Sequence, residues 1–221
     1  REMFHGARLS VTATVPEGVP GQQYLALVEI EGSSHEQRLL RKGRRTGLWM
    51  NVGEVDVHNA PSLYMLLTNQ PPDTQPGDVP KNFGYSLLRN RIRFTGDLPK
   101  SGADTLFDQF QNFKQSEGVY GFFPGALKIS DSESQGVKVE GSVNLPGNVA
   151  PGSYVIRLSL IGDGKMIARQ TSKFDVSMRG LPKVLFDLAF HRALLYGLLA
   201  VIIAIISGFV MGFLFTGKTA H

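Results

Sequence analysis

The sequence predicts a mainly β protein, with one or two immunoglobulin-like sandwich domains, one or two inserted helices and a single C-terminal transmembrane helix. Three observations support this fold class. Short segments alternate apolar and polar residues as half-buried strands do. The 25 glycines and 12 prolines are scattered among them, which indicates many turns. Residues 193–215 contain no Asp, Glu, Lys, Arg or His.

The apolar segment 193–215 is long enough to cross a bilayer. As a helix rising about 1.5 Å per residue, it extends roughly 35 Å, and a hydrocarbon core is about 30 Å thick. A single helix also satisfies its own backbone, as the bilayer core requires. We therefore predict a transmembrane helix here, followed by a cytoplasmic tail at residues 216–221.

The composition is that of a folded protein. Of the 221 residues, 42% are apolar and 19% are charged, as in ordinary globular domains. The net charge of +4 suits an anionic membrane surface or an acidic partner, and it is too small to predict nucleic-acid binding. Because the chain has no cysteine, disulfides, thiolate metal sites and iron–sulfur clusters are excluded.

Residues 1–68 form the predicted first β unit. The chain starts at Arg1 without a methionine, which we interpret as the result of signal removal. Alternating or β-rich runs predict strands at residues 9–15, 24–30, 47–52, 55–57 and 62–68.

Residues 69–118 are predicted to be a proline-rich loop and a helical insertion. Residues 83–94 favour a helix over a strand. At residues 101–115, Ser101 and Asp104 resemble a capping box at the start of a second helix. We expect this helix to pack its apolar face onto a sheet. That face comprises Leu106, Phe107, Phe110 and Phe113.

Residues 119–180 form the predicted second β unit, after a left-handed helix stop at Gly118. The Gly162-Asp163-Gly164 sequence predicts a tight hairpin turn. Residues 181–192 then predict a juxtamembrane helix. Strands of the second unit are predicted at residues 119–123, 127–130, 137–145, 154–161 and 166–176.

Two segments of the chain look like copies of each other. Residues 9–30 and 139–160 each contain a strand, a proline, a Gly/Val turn, a Pro-Gly pair and a strand that opens near a tyrosine, Tyr24 or Tyr154. Such a crossing is common in immunoglobulin-like sandwiches. Two copies are too few for a solenoid, so they are either two small sandwiches or two halves of one.

Several stretches resemble a known family of alphaproteobacterial transmembrane proteins. They are Phe4-His5-Gly6, GRRTGLWMNV at 43–52, APSLY at 60–64, PGSYVIRLSLIGDGK at 151–165 and the apolar tail from residue 193. The resemblance implies a cleaved signal, an extracytoplasmic domain and one C-terminal span. It implies no activity, no catalytic residues and no cofactor.

Two rules disagree about the side of the membrane that holds the β-rich part of the chain. Arg179, Lys183 and Arg192 precede the span and only Lys218 follows it, which by the positive-inside rule favours the cytoplasm. The processed start and the family resemblance favour export. We predict a single-pass protein of the bacterial inner membrane, with its N-terminal domain in the periplasm.

The first β unit contains two features that stand out in the sequence: a single tryptophan and a cluster of basic residues. Trp49 is interpreted as a core residue. The basic cluster is a grip for lipid phosphates or an acidic partner, or else the solvated end of a hairpin. Its members are Arg38, Arg41, Lys42, Arg44 and Arg45.

Near the membrane, two sets of residues are candidates for contact with a partner: one just before the span and one within it. The juxtamembrane set is either a docking surface or an interfacial anchor, and its members Asp187 and His191 are spaced to pair on one helix face. The second set would let another helix pack closely against the span. The sets are Asp187, His191, Arg192 and Tyr196, and Gly197, Ser207, Gly208 and Gly212.

No residue set predicts catalysis, a cofactor or a metal. Ser33, His35 and Glu36 are sequence neighbours, and adjacent strand residues point to opposite faces. Met3 and His5 match no copper-ligand spacing.

We therefore expect a non-catalytic accessory subunit that binds integral membrane proteins and the lipid bilayer. The alternative is a tethered periplasmic module that binds a small ligand or metal for a transporter, and a membrane-anchored hydrolase is disfavoured.

Overall fold

The structure is a computed structural model that describes residues 6–70, 83–98, 102–132, 136–177 and 188–216. For Arg41, Arg45 and Trp49 it describes the backbone alone.

The strands are β1 (Ala7–Val15), β2 (Leu25–Gly32), β3 (Gln37–Arg45), β4 (Leu48–His58), β5 (Tyr64–Thr68), β6 (Arg93–Gly96), β7 (Tyr120–Pro124), β8 (Leu127–Asp131), β9 (Val137–Leu145), β10 (Gly152–Gly162) and β11 (Lys165–Val176). The helices are α1 (Gly84–Arg91), α2 (Gly102–Ser116) and α3 (Ala193–Thr216).

Two sheets face each other and form a sandwich. One has the strand order β1-β9-β8 and the other the order β11-β10-β2-β5-β7. Neighbours are antiparallel except β5 and β7, which run parallel. Val11 and Ala13 of β1 and Ile156 and Leu158 of β10 line a common space between the sheets. These residues, up to Val176, belong to one compact unit, which we call the head.

The two copies in the sequence are two halves of this single sandwich. Strand β1 pairs with β9, and β2 pairs with β10. In each pair, equivalent residues of the two copies lie opposite each other: Val11 opposite Gly141, and Val28 opposite Leu158, both 130 residues apart. A pseudo-twofold axis therefore passes through the middle of both pairs.

Each copy anchors its second strand with the tyrosine that opens it. The Val19 amide donates to the Tyr24 hydroxyl at 2.8 Å, and that hydroxyl donates to Gln22 Oε1 at 2.7 Å. In the second copy, the Tyr154 hydroxyl donates to the Ala150 carbonyl. Both hydroxyls thus tie the strand back to the loop before it, where a buried phenol needs a polar partner.

The helical insertion covers the outer face of the five-stranded sheet, and a third sheet packs against α2, where the Phe94 ring lies 5.9 Å from the Phe110 ring. Helix α1 buries Leu88 beneath it, and Gly84 sits against Leu66 of β5, where a Cβ would lie 3.2 Å from the leucine side chain. Helix α2 buries Leu106, Phe107 and Phe110. The third sheet has the strand order β3-β4-β6.

The mainly β prediction with inserted helices and a C-terminal apolar helix is confirmed. The Gly162-Asp163-Gly164 turn joins β10 to β11, with positive φ at Asp163 and Gly164. Gly118, with a φ of 73°, ends α2 as predicted.

Two details of the predictions were wrong. Residues 83–94 are helical only to Arg91, and Arg93 begins β6, because its backbone pairs with β4. Phe113 is 47% exposed, because α2 turns this side chain towards a groove and not onto the sheet.

Helix α3 is the predicted apolar span. Among the described residues, Ala193–Gly212 is the one helix long and apolar enough to cross a membrane, and none of its hydrophobic window is buried within the chain. It belongs to a second compact unit, separate from the head.

The interleaved pairing predicts that the two β units cannot fold separately. Expressed alone, residues 1–98 and residues 119–176 should each lack a cooperative thermal transition by circular dichroism, because neither fragment contains both β2 and β10. The head, residues 1–176, should unfold in one transition. Cooperative unfolding of either half would contradict the single-sandwich arrangement.

Candidate functional site

A pair of carboxylates lies buried on the outer face of the five-stranded sheet. All eight residues of β2 are buried, because β2 is the central strand and is covered on both faces. Since side chains alternate along a strand, Glu29 and Glu31 share the face that α1 covers. Glu29 is 1% exposed and Glu31 7% exposed. Buried carboxylates are rare in proteins unless they are paired.

Glu29 is held by a tyrosine. The Tyr64 hydroxyl donates to Glu29 Oε1 at 2.6 Å. Burial raises the pKa of the Glu29 carboxyl above its ordinary value, and the hydrogen bond from Tyr64 opposes this only in part. Burial, together with the neighbouring Glu29, also raises the pKa of Tyr64. Burial therefore favours the protonated form of Glu29 more than in a solvent-exposed glutamate.

Glu31 is held by two arginines. Arg157 Nη1 of β10 donates to Glu31 Oε2 at 2.7 Å. On the other side, Arg91 Nη2 at the end of α1 lies 2.7 Å from Glu31 Oε1, an ion pair without the angle of a hydrogen bond. Two guanidinium groups thus compensate one desolvated carboxylate, and they connect α1 to the central strands.

This cluster is suited to hold the fold together more than to catalyse a reaction. Its carboxylates are occupied by Tyr64, Arg91 and Arg157, and no hydroxyl–imidazole pair is recorded in contact with them. Among the described residues no group of three or more His, Asp or Glu side chains could hold a metal ion.

The Ser33–His35–Glu36 neighbours are partly brought together. Ser33 Oγ lies 2.9 Å from His35 Nε2, a contact that the expectation of opposite faces did not foresee, because these residues are two apart. Glu36 contacts His58 Nδ1 instead, at 3.1 Å. Since the acid lies on a different histidine, the three side chains do not form a triad.

An apolar groove lies between the β3–β4 hairpin and α2. It has a volume of about 530 Å³ and is lined by Leu39, Leu40, Lys42, Val55, Leu106, Gln109, Phe110 and Phe113. Leu40 is 53% and Phe113 47% exposed. The Lys114 ammonium lies 5.6 Å from the centre of the Phe113 ring, close enough for a cation–π contact. The groove is thus lined mainly by apolar side chains, with Lys42 among them.

The predicted basic surface lies on strand β3. Arg38, Lys42 and Arg44 are exposed there. Arg38 is neutralised by Asp56, whose Oδ1 accepts from its Nε at 3.0 Å, and by Glu54 at 3.6 Å. The side chains of Arg41 and Arg45 lie outside the described atoms, although both residues belong to the strand.

The side chain of Trp49 also lies outside the described atoms, so its predicted place in the core is untested. Met3 and His5 fall outside the described residues.

The juxtamembrane set is only partly visible. Asp187 lies outside the described residues, so its predicted pairing with His191 is not tested. The Tyr196 amide donates to the Arg192 carbonyl at 3.1 Å, which continues the helical backbone across the start of α3. Phe190 is 73% and Tyr196 46% exposed.

The predicted packing residues of the span lie within a longer small-residue face. At 100° per residue, every Gly, Ala and Ser between residues 193 and 212 falls within an arc of about 140°. A Cβ added at Gly197, Gly208 or Gly212 would meet nothing within 4 Å. The small-residue face consists of Ala193, Gly197, Ala200, Ala204, Ser207, Gly208 and Gly212.

A β-sandwich head and one exposed apolar helix define a membrane protein with a single candidate span among the described residues. The family model described as "Putative transmembrane protein (Alph_Pro_TM)" matches residues 1–216. The match covers nearly the whole chain, and the protein therefore belongs to this family. The resemblance seen in the sequence is confirmed. No curated protein and no solved structure matches the chain.

Sequence reasoning missed the buried carboxylates and their partners. The available signal was the run LVEIE at the end of β2, where two glutamates alternate with apolar residues in an otherwise apolar strand. Their partners Arg91 and Arg157 are 60 and 126 residues away from Glu31 in the chain, and no local pattern relates them.

The cluster predicts opposite outcomes for two equivalent substitutions. The folded state raises the pKa of Glu29, so stability falls as pH rises above the ordinary carboxyl pKa. Glu29→Gln should therefore raise the free energy of unfolding at pH 8 by about 1 kcal/mol, and have little effect at pH 4. Urea unfolding in detergent, followed by circular dichroism, measures both values.

Glu31→Gln is the matched control, with the same change two residues along the same face. It should lower the free energy of unfolding at pH 8 by about 3 kcal/mol, because it leaves two guanidinium groups without their carboxylate. If both variants lost the same free energy of unfolding at pH 8, Glu29 would have to be ionised and ion-paired in the folded protein.

Proposed function

We propose that this protein is a non-catalytic, membrane-anchored accessory subunit of a larger membrane protein complex. Its span packs against a helix of another integral membrane protein, and its head docks or positions partners at the membrane surface. The head lies on the periplasmic side of a bacterial inner membrane, as the family resemblance implies.

The small-residue face of α3 carries this proposal. A glycine within a helix costs about 1 kcal/mol relative to alanine, and three glycines lie on this face. A Cβ added at Gly197 or Gly208 would meet nothing within 4 Å in the described chain. Small residues on one side of a membrane helix let a second helix approach closely, whereas lipid gains nothing from them. A partner helix therefore accounts for the pattern.

The head supports attachment more than chemistry. Its ionisable cluster is satisfied internally, by Tyr64 on Glu29 and by two arginines on Glu31. An assembly role needs a rigid body with exposed apolar surface, and the groove beside α2 provides such surface at Leu40 and Phe113.

The groove also favours a second candidate function, the binding of a small amphiphile. Its volume of about 530 Å³ lies within the range of ligand pockets. Apolar walls with Lys42 among the lining residues suit an acyl chain with an anionic end. In this case the protein is a tethered binding module, and its span serves only as an anchor.

Added fatty acid should separate this second function from the first. Binding to the native state would raise the unfolding temperature, and Phe113→Ala, which removes one wall, would abolish the rise. Asn112→Ala, a change at an exposed residue of α2 that does not line the groove, serves as the control. An unchanged unfolding temperature would leave the accessory role as the proposed function.

The partner-helix prediction is tested by enlarging the small-residue face. Gly208→Leu combined with Gly212→Leu should reduce co-purification of integral membrane proteins in mild detergent at least about tenfold, a loss of 1.4 kcal/mol in affinity. The helix itself should persist, because leucine favours helix over glycine. Quantitative mass spectrometry of the tagged protein measures the change.

The matched control enlarges the opposite face, with Leu199→Phe and Ile206→Phe. These positions lie about half a turn away from the centre of the small-residue face and should leave co-purification unchanged. If both double variants retain their partners equally, the small-residue face is not a docking surface.

A further inference from the structure

The β3–β4 hairpin extends past the sheet that supports it. Strand β6 pairs with β4 only between Val55 and His58. Beyond this point, from Arg41 opposite Gly53 to Arg45 opposite Leu48, the two strands pair with each other. We call residues 41–52 the hairpin tip. At about 3.3 Å per residue, its strands extend roughly 15 Å beyond β6.

The hairpin tip is a defined structure and not a loose loop. Thr46 and Gly47 have φ values of 49° and 87°, so both central residues of the two-residue turn have the positive φ that suits tight hairpins. At the base, the Glu54 amide donates to Asp97 Oδ2 at 3.2 Å, and the Asp97 amide donates to the Glu54 carbonyl at 2.8 Å. The tip is thus held at its base and closed at its end.

The hairpin tip carries the positive charge of the whole protein. It contains four cationic residues and no Asp or Glu, and the net charge of the chain is +4, so the remaining residues are balanced. Of the described cations, Lys42 and Arg44 are exposed, and no carboxylate among the described residues lies within ion-pair distance of either. Arg38, outside the tip, differs because Asp56 and Glu54 neutralise it.

The hairpin tip also exposes large apolar side chains. Leu48 is 68% and Met50 44% exposed, on the strand that returns from the turn. The only tryptophan of the chain, Trp49, lies between them in sequence. Exposed leucine and methionine disfavour a merely solvated hairpin end. Cations, aliphatic side chains and tryptophan together are the composition of segments that bind at a lipid interface.

We propose that the hairpin tip binds the surface of an anionic bilayer. The tip enters end-on: Leu48 and Met50, on one face of the hairpin, enter the boundary between headgroups and acyl chains, and Lys42 and Arg44, on the other face, contact lipid phosphates with their long side chains. The apolar span α3 supports this partner, because a chain anchored in a bilayer presents the tip to lipid at high effective concentration.

Trp49 provides the measurement, because it is the only tryptophan of the protein. The full chain is reconstituted in nanodiscs of zwitterionic phosphatidylcholine, or of the same lipid with 30% phosphatidylglycerol. Brominated acyl chains should quench Trp49 and its emission should shift to the blue in the anionic nanodiscs only. Raising the salt to 0.5 M should reverse both effects by screening.

Lys42→Gln combined with Arg44→Gln should weaken docking in anionic nanodiscs about 30-fold, as expected for two charges at an anionic surface. Lys165→Gln with Lys173→Gln on β11 is the matched control and should leave quenching unchanged. Thermal unfolding checks that each variant is folded. The salt dependence of the unaltered protein tests the same electrostatic attraction without any substitution.

Two results would overturn the proposal. One is quenching that is equal in both lipid compositions and in all variants. The other is an absence of quenching in both nanodiscs with a spectral change only when solubilised membrane proteins are added, which would identify an acidic protein as the partner of the hairpin tip.

Discussion

The pairing of β2 with β10 at the centre of the five-stranded sheet is the contact on which the rest of the head depends. The two strands come from the two copies in the sequence, and they meet with equivalent residues opposite each other at Val28 and Leu158. The same relation joins β1 to β9 in the facing sheet. Each copy therefore supplies one strand to each sheet, and neither copy encloses a core by itself.

Because β2 is the central strand, its outer face is buried, and burial removes the hydration of any charged side chain on that face. Covering that face with α1 desolvates Glu29 and Glu31, and charged groups in such surroundings need partners. Strand β10 provides Arg157, β5 provides Tyr64 and α1 provides Arg91. The polar contacts thus join three elements that are distant in the chain. Buried ion pairs add little net stability, but they restrict which helix can cover this face.

The surfaces proposed for attachment and the contacts that hold the fold involve different residues. The buried carboxylates Glu29 and Glu31 have partners within the head, whereas the surfaces proposed for attachment are the small-residue face of α3, the groove beside α2 and the hairpin tip. These three surfaces differ in chemistry, and each suits a different neighbour. A close-packed helix suits the first, an amphiphile or a partner side chain the second, and an anionic headgroup layer the third.

The sequence by itself determined the apolar span, the β-rich head, the helix after the proline-rich loop and the turn at Asp163, because each depends on a local pattern of hydrophobic period or turn chemistry. The basic cluster was also visible, but not its place at the end of a protruding hairpin. Only the tertiary structure decided that the two copies share one sandwich, that Phe113 faces a groove, and that Glu31 meets two arginines. These features depend on contacts between residues far apart in the chain, which local periodicity does not encode.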